Sequence, residues 1–130
     1  MGFKKLAKFS IFMGFILMLA LSACGGSETS VQADVSTISI TSGLDGGEFA
    51  FAPSVIETKA GETTRIVFDN QGTIAHDFEI PDLEIVIETT NAGNKGEITF
   101  VAPSMAGSYD FICSIPGHKE AGMVGQLIVN

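Results

Sequence analysis

Positively charged residues are scarce in this chain: seven Lys and Arg stand against 15 Asp and Glu, giving a formal net charge of −8. Nucleic acid is therefore an unfavourable partner, because its phosphates would be repelled. Helical patterning is also lacking, since past residue 35 no apolar spacing of helical period extends beyond about two turns. Histidine and cysteine occur only twice each. Two histidines cannot build an enzyme with several histidine-rich metal centres, and no Ser/His/Asp set is visible, so we expect no enzyme.

Residues 1–23 have the pattern of a secretory signal. Lys4, Lys5 and Lys8 precede an uncharged apolar stretch that ends in small residues. The stretch is shorter than the ~20 residues of a membrane-spanning helix, so cleavage is favoured over an uncleaved anchor. The sequence "LSAC" at 21–24 resembles a bacterial lipobox. That resemblance implies lipidation of Cys24, although an ordinary signal followed by an incidental cysteine is the alternative.

The remainder divides into a linker and one domain. Residues 24–34 are rich in Gly, Ser, Thr and acidic side chains and predict a flexible, lipid-anchored linker. Residues 35–130 are long enough for a single modest core. Without the leader, four cations remain against fifteen acids, a charge of −11. This charge would steer a basic protein partner, although solubility explains it as well. We expect an extracytoplasmic monomer held at a bacterial membrane, on the periplasmic side or the cell surface.

The domain reads as all-β throughout. Gly and Pro separate short β-branched and aromatic runs, which is typical of a sandwich of about eight strands. We expect a Gly-rich connection over 43–54, turns at 59–62 and near 91–96, and a strand over 73–80. Because side chains alternate along a strand, His76 should share an inward face with Ile74, Phe78 and Ile80, opposite Ala75, Asp77 and Glu79. By the same alternation, Cys113 is the last inward residue before a loop.

That loop carries a closely spaced set of metal-binding side chains. Cys113, His118 and Met123 are each separated by four residues, and His76 supplies a second imidazole. If Cys24 is lipidated, Cys113 has no partner for an internal disulfide, and a metal would protect its thiol. A Cys24–Cys113 disulfide is the alternative. Two imidazoles, a thiolate and a thioether suit a blue-copper centre, whereas Met is not a usual zinc ligand.

At these residues the sequence resembles the cupredoxin family of small blue copper proteins. The segments "YDFICSIPGHKEAGMVGQLIV" and "IVFDNQGTIAHDFEI" carry the resemblance, and the Cys-x4-His-x4-Met spacing is similar to that of the auracyanins. The resemblance implies a Greek-key β-sandwich that binds one copper ion. It also implies the site residues: the ligands His76, Cys113, His118 and Met123, and an electron-transfer surface at His118 with Ile115, Pro116, Gly117 and Ile74.

Two positions bear on the surroundings of the ligands. Family members often have Asn after the first His, and this chain has Asp77 there. Because that neighbour helps to brace the ligand loops, the hydrogen bonding around the copper is open. Ala75 leaves open whether a backbone carbonyl approaches the metal. Met105 is interpreted as a loop or core residue, and Phe49 as core or surface packing rather than a functional residue.

Two functions follow from the site. The first is an electron carrier that cycles between Cu(II) and Cu(I) and exchanges electrons with donor and acceptor redox proteins, such as basic cytochromes. The second is a copper chaperone or buffer. Such proteins usually offer exposed Met- or His-rich sites, whereas the mature chain has two Met and two His. The sequence therefore favours the electron carrier.

Overall fold

The computed structural model describes residues 34–44 and 46–130. The predicted signal, Cys24 and nearly all of the predicted linker lie outside the described residues. The described chain forms eight strands and one short 3-10 helix: β1 (Ser36–Ser42), β2 (Val55–Thr58), β3 (Thr63–Asn70), β4 (His76–Ile80), the 3-10 helix (Pro81–Leu83), β5 (Ile85–Thr90), β6 (Lys95–Val101), β7 (Gly107–Ile112) and β8 (Val124–Val129). Within these ranges no helical segment is long and apolar enough to traverse a bilayer.

The strands form two sheets. One has the order β1-β3-β6, and the other has the order β2-β8-β7-β4-β5. β1 runs parallel to β3 and β2 parallel to β8, while β7 pairs with β8 in the antiparallel sense. The predicted all-β fold with about eight strands is confirmed. Pairing of β7 with both β4 and β8 brings the start of β4 and the end of β7 to neighbouring strands of one sheet.

Both sheets contribute to a single hydrophobic core. Phe51, from the connection between β1 and β2, contacts Phe68 of the first sheet with ring centroids 5.7 Å apart. Its ring also lies 5.7 Å from that of Phe78 and 5.3 Å from that of Phe111, both in the second sheet. Burying each of these rings stabilises the fold by about 1.5–3 kcal/mol. The ring of Phe51 thus joins the two sheets through the core.

Some boundaries differ from the predictions. β4 begins at His76 rather than at 73, because the backbone groups of Ile74 are used elsewhere: its N–H donates to Glu48 and its carbonyl accepts from Asn70. The polar turn near 91–96 ends earlier, since β6 already begins at Lys95. The 3-10 helix after β4 begins at Pro81, whose fixed φ suits a first helical position, and sequence reasoning missed it.

Candidate metal centre

His76 stands at the beginning of β4, and its side chain is fully buried. The predicted inward face is confirmed for Phe78 and Ile80, which are buried with it, but not for Ile74, which precedes the strand and is 39% exposed. Strict alternation does not hold along this strand, however. The pairing with β5 shifts register between His76 and Phe78, and Asp77 on the opposite face is also buried. The imidazole of His76 therefore lies at the beginning of the strand, next to an irregularity in the pairing with β5.

Cys113 directly follows β7 and is fully buried, as predicted. The loop after it returns to its starting point through two backbone hydrogen bonds. The N–H of Cys113 donates to the carbonyl of Met123 at 3.1 Å, and the N–H of Met123 donates to the carbonyl of His118 at 3.0 Å. Met123, which is fully buried, leads into β8. The three residues spaced by four in sequence are therefore neighbours in the fold.

A tight turn places His118 within this loop. The N–H of His118 donates to the carbonyl of Ile115 at 3.0 Å, which closes the turn around Pro116 and Gly117. Gly117 has φ of +89°, a conformation that glycine adopts without the strain a Cβ would cause. A substitution at this position would shift the backbone that carries the imidazole.

The side chains of His76, Cys113 and His118 converge. One ligand atom from each lies within 4.8 Å of the other two. The Nδ1 atoms of His76 and His118 are 3.1 Å apart, and Sγ of Cys113 is 3.4 Å from Nδ1 of His118. Two imidazole nitrogens at about 2.0–2.1 Å from one tetrahedral ion would be about 3.3 Å apart, so this spacing fits one ion of zinc or copper size. The donors present thus suit a transition metal.

Burial controls the chemistry of the thiol. Removal from water raises the pKa of Cys113, although a backbone hydrogen bond from Asp77 opposes that rise. The thiolate is the species that ligates metals, so binding of a cation here must displace a proton. Without a cation, the thiol is protonated at neutral pH and is protected by its burial.

Asp77 braces the two segments that carry the ligands. Its carboxylate accepts hydrogen bonds from the N–H of Ser114 at 2.6 Å and from the hydroxyl of Ser114 at 2.7 Å. The backbone N–H of Asp77 lies 3.5 Å from Sγ of Cys113 and donates to it. An acidic residue at this position therefore makes the bracing contacts that the sequence left open.

Sequence reasoning missed two residues of the Gly-rich connection between β1 and β2. Oε1 of Glu48 lies 3.2 Å from Nε2 of His76. The ring of Phe49 makes edge contacts with the ring of His76 at 6.3 Å and with that of His118 at 5.0 Å. Phe49 is therefore a packing residue, as interpreted, and it packs against the rings of two candidate ligands. An acid–aromatic pair in a Gly-rich loop was a weak signal, and nothing in one sequence links it to a histidine 28 residues away.

The carboxylate of Glu48 is well anchored. It accepts hydrogen bonds from the backbone N–H and hydroxyl of Thr73 and from the N–H of Ile74. The backbone hydrogen bond from Thr73 is the main cause that lowers the pKa of Glu48 to about 2, and that from Ile74 and the contact with His76 act in the same direction. Glu48 is therefore ionised at neutral pH.

The residues predicted to surround His118 lie at the surface or close to it. Pro116 and Gly117 are exposed, Ile115 and His118 are partly buried, and Ile74 is 39% exposed. Phe49 is also 39% exposed and adds an aromatic ring to the same neighbourhood. Met105, by contrast, is 75% exposed and lies in the connection between β6 and β7.

Comparisons with known proteins agree with this geometry. A family model described as "Cupredoxin-like domain" matches residues 11–129. The copper-resistant cuproprotein CopI of Rubrivivax gelatinosus is 37% identical over 98 residues, which cover 61% of this chain and 59% of CopI. The chain thus spans about three fifths of that relative. Chloroplastic plastocyanin of Pisum sativum is 33% identical over 122 residues, 86% of this chain and 70% of the plastocyanin.

Similarity extends to solved structures. Auracyanin A, described as a "blue" copper protein from the green thermophilic photosynthetic bacterium Chloroflexus aurantiacus, superimposes with a TM-score of 0.62 at 28% identity. The superposition covers 75% of this chain and 100% of the auracyanin.

Proposed function

The chain belongs to the cupredoxin family, and from that premise we propose that it is a type 1 (blue) copper protein that carries single electrons between redox proteins. The observation that carries this proposal is the convergence of His76, Cys113 and His118, whose ligand atoms lie within 4.8 Å of one another. Copper bound there supplies one-electron chemistry by alternating between Cu(II) and Cu(I). Both imidazoles would bind through Nδ1, Cys113 through its thiolate, and Met123 through its thioether sulfur.

The residues around the site hold the donors in place before any metal arrives. The backbone hydrogen bonds that link Cys113, His118 and Met123 fix the loop, and Asp77 fixes the loop to β4. A carrier benefits from such preorganisation, because its ligands then move little when an electron enters or leaves. The burial of Met123 and Cys113 also excludes water from the sulfur side of the site.

His118 is the proposed entry and exit point for electrons. It is partly buried, whereas His76 is fully buried. Exposed Pro116 and Gly117 lie beside it and provide an apolar, uncharged surface on which a partner can approach closely. The proposed electron-transfer surface consists of these two residues with Ile115 and His118.

The acidic character of the chain supports basic redox proteins, such as cytochromes, as donor and acceptor, because opposite charges accelerate encounter.

We further propose an extracytoplasmic monomer that is attached to a bacterial membrane through lipid on Cys24. Both histidines of the chain belong to the proposed site, which leaves none for a further copper centre of an enzyme.

Copper handling is the second candidate, and the similarity to the copper-resistant protein CopI supports it. A chaperone or buffer must release its ion to a partner, which requires accessible and exchangeable ligands. Here Cys113, His76 and Met123 are each fully buried. That burial favours retention of the ion over transfer.

The visible spectrum of the copper-loaded protein tests the proposed function. Addition of Cu(II) to the purified chain should produce an intense thiolate-to-copper band that bleaches on reduction and returns on reoxidation. Cys113→Ser should abolish the band, because the thiolate is its source, whereas Met105→Leu at an exposed methionine should leave it intact. A colourless complex that exchanges copper rapidly with a chelator would support copper handling instead.

A further inference from the structure

Glu48 lies outside the predicted ligand set and yet contacts it. The residue belongs to the connection between β1 and β2, and its Oε1 lies 3.2 Å from Nε2 of His76. The side chain of Glu48 is 26% exposed, whereas that of His76 is fully buried. The carboxylate therefore reaches the buried imidazole from the surface, on the ring edge opposite the nitrogen that faces His118.

Hydrogen bonds from the segment before β4 fix the position of this carboxylate. The N–H of Thr73 lies 2.9 Å from Oε1 and 3.1 Å from Oε2, and the hydroxyl of Thr73 donates to Oε2 at 3.0 Å. The N–H of Ile74 donates to Oε1 at 3.2 Å. These contacts hold the carboxylate next to the imidazole independently of the imidazole itself.

The backbone leaves room for this arrangement at Gly72. A Cβ at this position would lie 2.3 Å from Oε1 of Glu48, which is closer than any real contact allows. Glycine is therefore required for the carboxylate to occupy its place. A methyl group there would displace the carboxylate while Glu48 itself remained in the chain.

The contact with Glu48 determines which nitrogen of His76 carries the proton. A neutral imidazole has one donor and one acceptor nitrogen, and an ionised carboxylate can only accept. Nε2 must therefore be the protonated nitrogen that donates to Glu48. The lone pair of Nδ1 then points to Nδ1 of His118, 3.1 Å away, where the ligand atoms converge.

We propose that Glu48 is a positioning residue for His76: its carboxylate accepts the Nε2 proton, keeps the imidazole in the tautomer that presents Nδ1 to the metal, and places a negative charge beside the ligand. A negative charge beside His76 stabilises Cu(II) more than Cu(I), so Glu48 lowers the reduction potential of the bound copper. Carboxylates that accept from ligating histidines commonly change metal affinity by about 10- to 100-fold. The inference rests on the proposed copper site, but its first test requires no metal.

That first test is the tautomer of His76 in the metal-free full chain. At mildly alkaline pH, long-range proton–nitrogen NMR distinguishes a protonated Nε2 from a protonated Nδ1. His76 should be protonated at Nε2 in the wild type and should become a mixture of tautomers in Glu48→Ala. Gly72→Ala should produce the same change through displacement of the carboxylate. A wild-type ring protonated at Nδ1, or a tautomer unaffected by both variants, would overturn the proposal.

The second test is the reduction potential of the copper-loaded chain. Glu48→Gln removes the charge and keeps the size. A 10- to 100-fold loss of affinity confined to Cu(II) would raise the potential by about 59–118 mV, since tenfold corresponds to about 59 mV for one electron. An unchanged potential would refute the electrostatic role.

Glu62→Gln is the matched control for both tests. Glu62 accepts from the N–H of Lys59 and the hydroxyl of Thr58, both at 3.1 Å, so it also anchors a turn through its carboxylate. Its removal should change neither the His76 tautomer nor the potential. If the wild type failed to bind copper as a blue centre, the proposed function would fail, while the tautomer measurement would still decide the role of Glu48.

Discussion

Asp77 and Ser114 join the two segments that supply the candidate ligands. Both carboxylate oxygens of Asp77 accept from Ser114, one from its N–H at 2.6 Å and the other from its hydroxyl at 2.7 Å. Because Asp77 follows His76 and Ser114 follows Cys113, this pair couples the position of an imidazole to that of the thiol. The acceptor is a carboxylate, so Asp77 should affect both the stability of the fold and the reduction potential of a bound copper ion.

Asp77→Ala should destabilise the metal-free protein by about 1–3 kcal/mol, because it removes two hydrogen bonds to a carboxylate, both from Ser114. Asp77→Asn should destabilise the metal-free protein less than Asp77→Ala. It should also raise the reduction potential through loss of a negative charge beside the Cys113 thiolate. Urea unfolding and electrochemistry measure the two effects. Asp110→Asn, at an exposed aspartate that accepts from Gln126 at 3.1 Å, is the control and should change neither quantity. Equal potentials for wild type and Asp77→Asn would contradict the electrostatic argument.

If Met123 is the thioether ligand of the proposed site, Met123→Leu should retain the visible copper band and change the reduction potential, because such a weak ligand tunes the potential while the thiolate produces the colour. The substitution conserves volume at a fully buried position, so stability should fall by less than about 1.5 kcal/mol. Spectroscopy and electrochemistry on the same sample separate the effects. Loss of the band would show that Met123 has a larger role than an axial ligand.

Copper should raise the melting temperature of the chain. An ion that binds only the folded state stabilises it by about 2.7 kcal/mol when its free concentration is about a hundred times the dissociation constant. Differential scanning calorimetry with and without one equivalent of copper measures the shift. Cys113→Ser should remove most of the shift, and coincident melting curves of loaded and metal-free wild type would argue against a preformed site.

Gly125→Ala should destabilise the fold, although glycine is usually a poor residue for a strand interior. A Cβ at Gly125 would lie 2.3 Å from the ring of Phe111 and 2.5 Å from the carbonyl oxygen of Ser54. The carbonyl of Ser54 is part of the backbone, so it cannot move away as easily as the end of a flexible side chain. Overpacking of this kind costs about 1–3 kcal/mol. Gly107→Ala in β7, where the nearest atom would be 3.5 Å away, should be tolerated. Equal urea midpoints for the two variants would contradict the packing argument.

Asp69 and Lys95 should make stability depend on pH at the acidic end. These cross-strand partners form an ion pair of 2.6 Å, and the hydrogen bond from Lys95 is the main cause that lowers the pKa of Asp69 below 3.8. A lowered pKa in the folded state means that the stabilisation is complete above the unfolded value and is lost as the pH falls through the folded one.

Lys95→Met should therefore cost about 0.2–1 kcal/mol at neutral pH, as expected for an exposed pair. The difference from wild type should shrink as the pH falls below about 3.8. Urea unfolding at a series of pH values measures this dependence. Lys59→Met, at an exposed lysine between β2 and β3, is the control. If the wild type remained more stable than Lys95→Met by the same amount at the lowest pH, the pH dependence could not be attributed to the Asp69–Lys95 pair.

Local patterns in the sequence were sufficient to predict much of the fold and to propose the candidate ligands, whose role as ligands stays a prediction. Alternation along β4 and β7 placed His76 and Cys113 inward, and both side chains are buried in the structure. Such inferences succeed because they depend on short-range geometry: the period of a strand and the reach of a turn are the same in every protein. The chemical preferences of thiolate, thioether and imidazole are likewise properties of the residues themselves.

The surroundings of those ligands were decided only by the tertiary structure. Glu48 and Phe49 contact His76 because the connection between β1 and β2 reaches the beginning of β4, and Gly72 leaves space for that approach. Contacts between residues far apart in sequence depend on how whole strands are ordered and packed, and a single chain carries no local signal for them. The sequence by itself determined which donor groups were available for a metal. The packing of the two sheets determined which hydrogen-bonding and charged residues surround those donors.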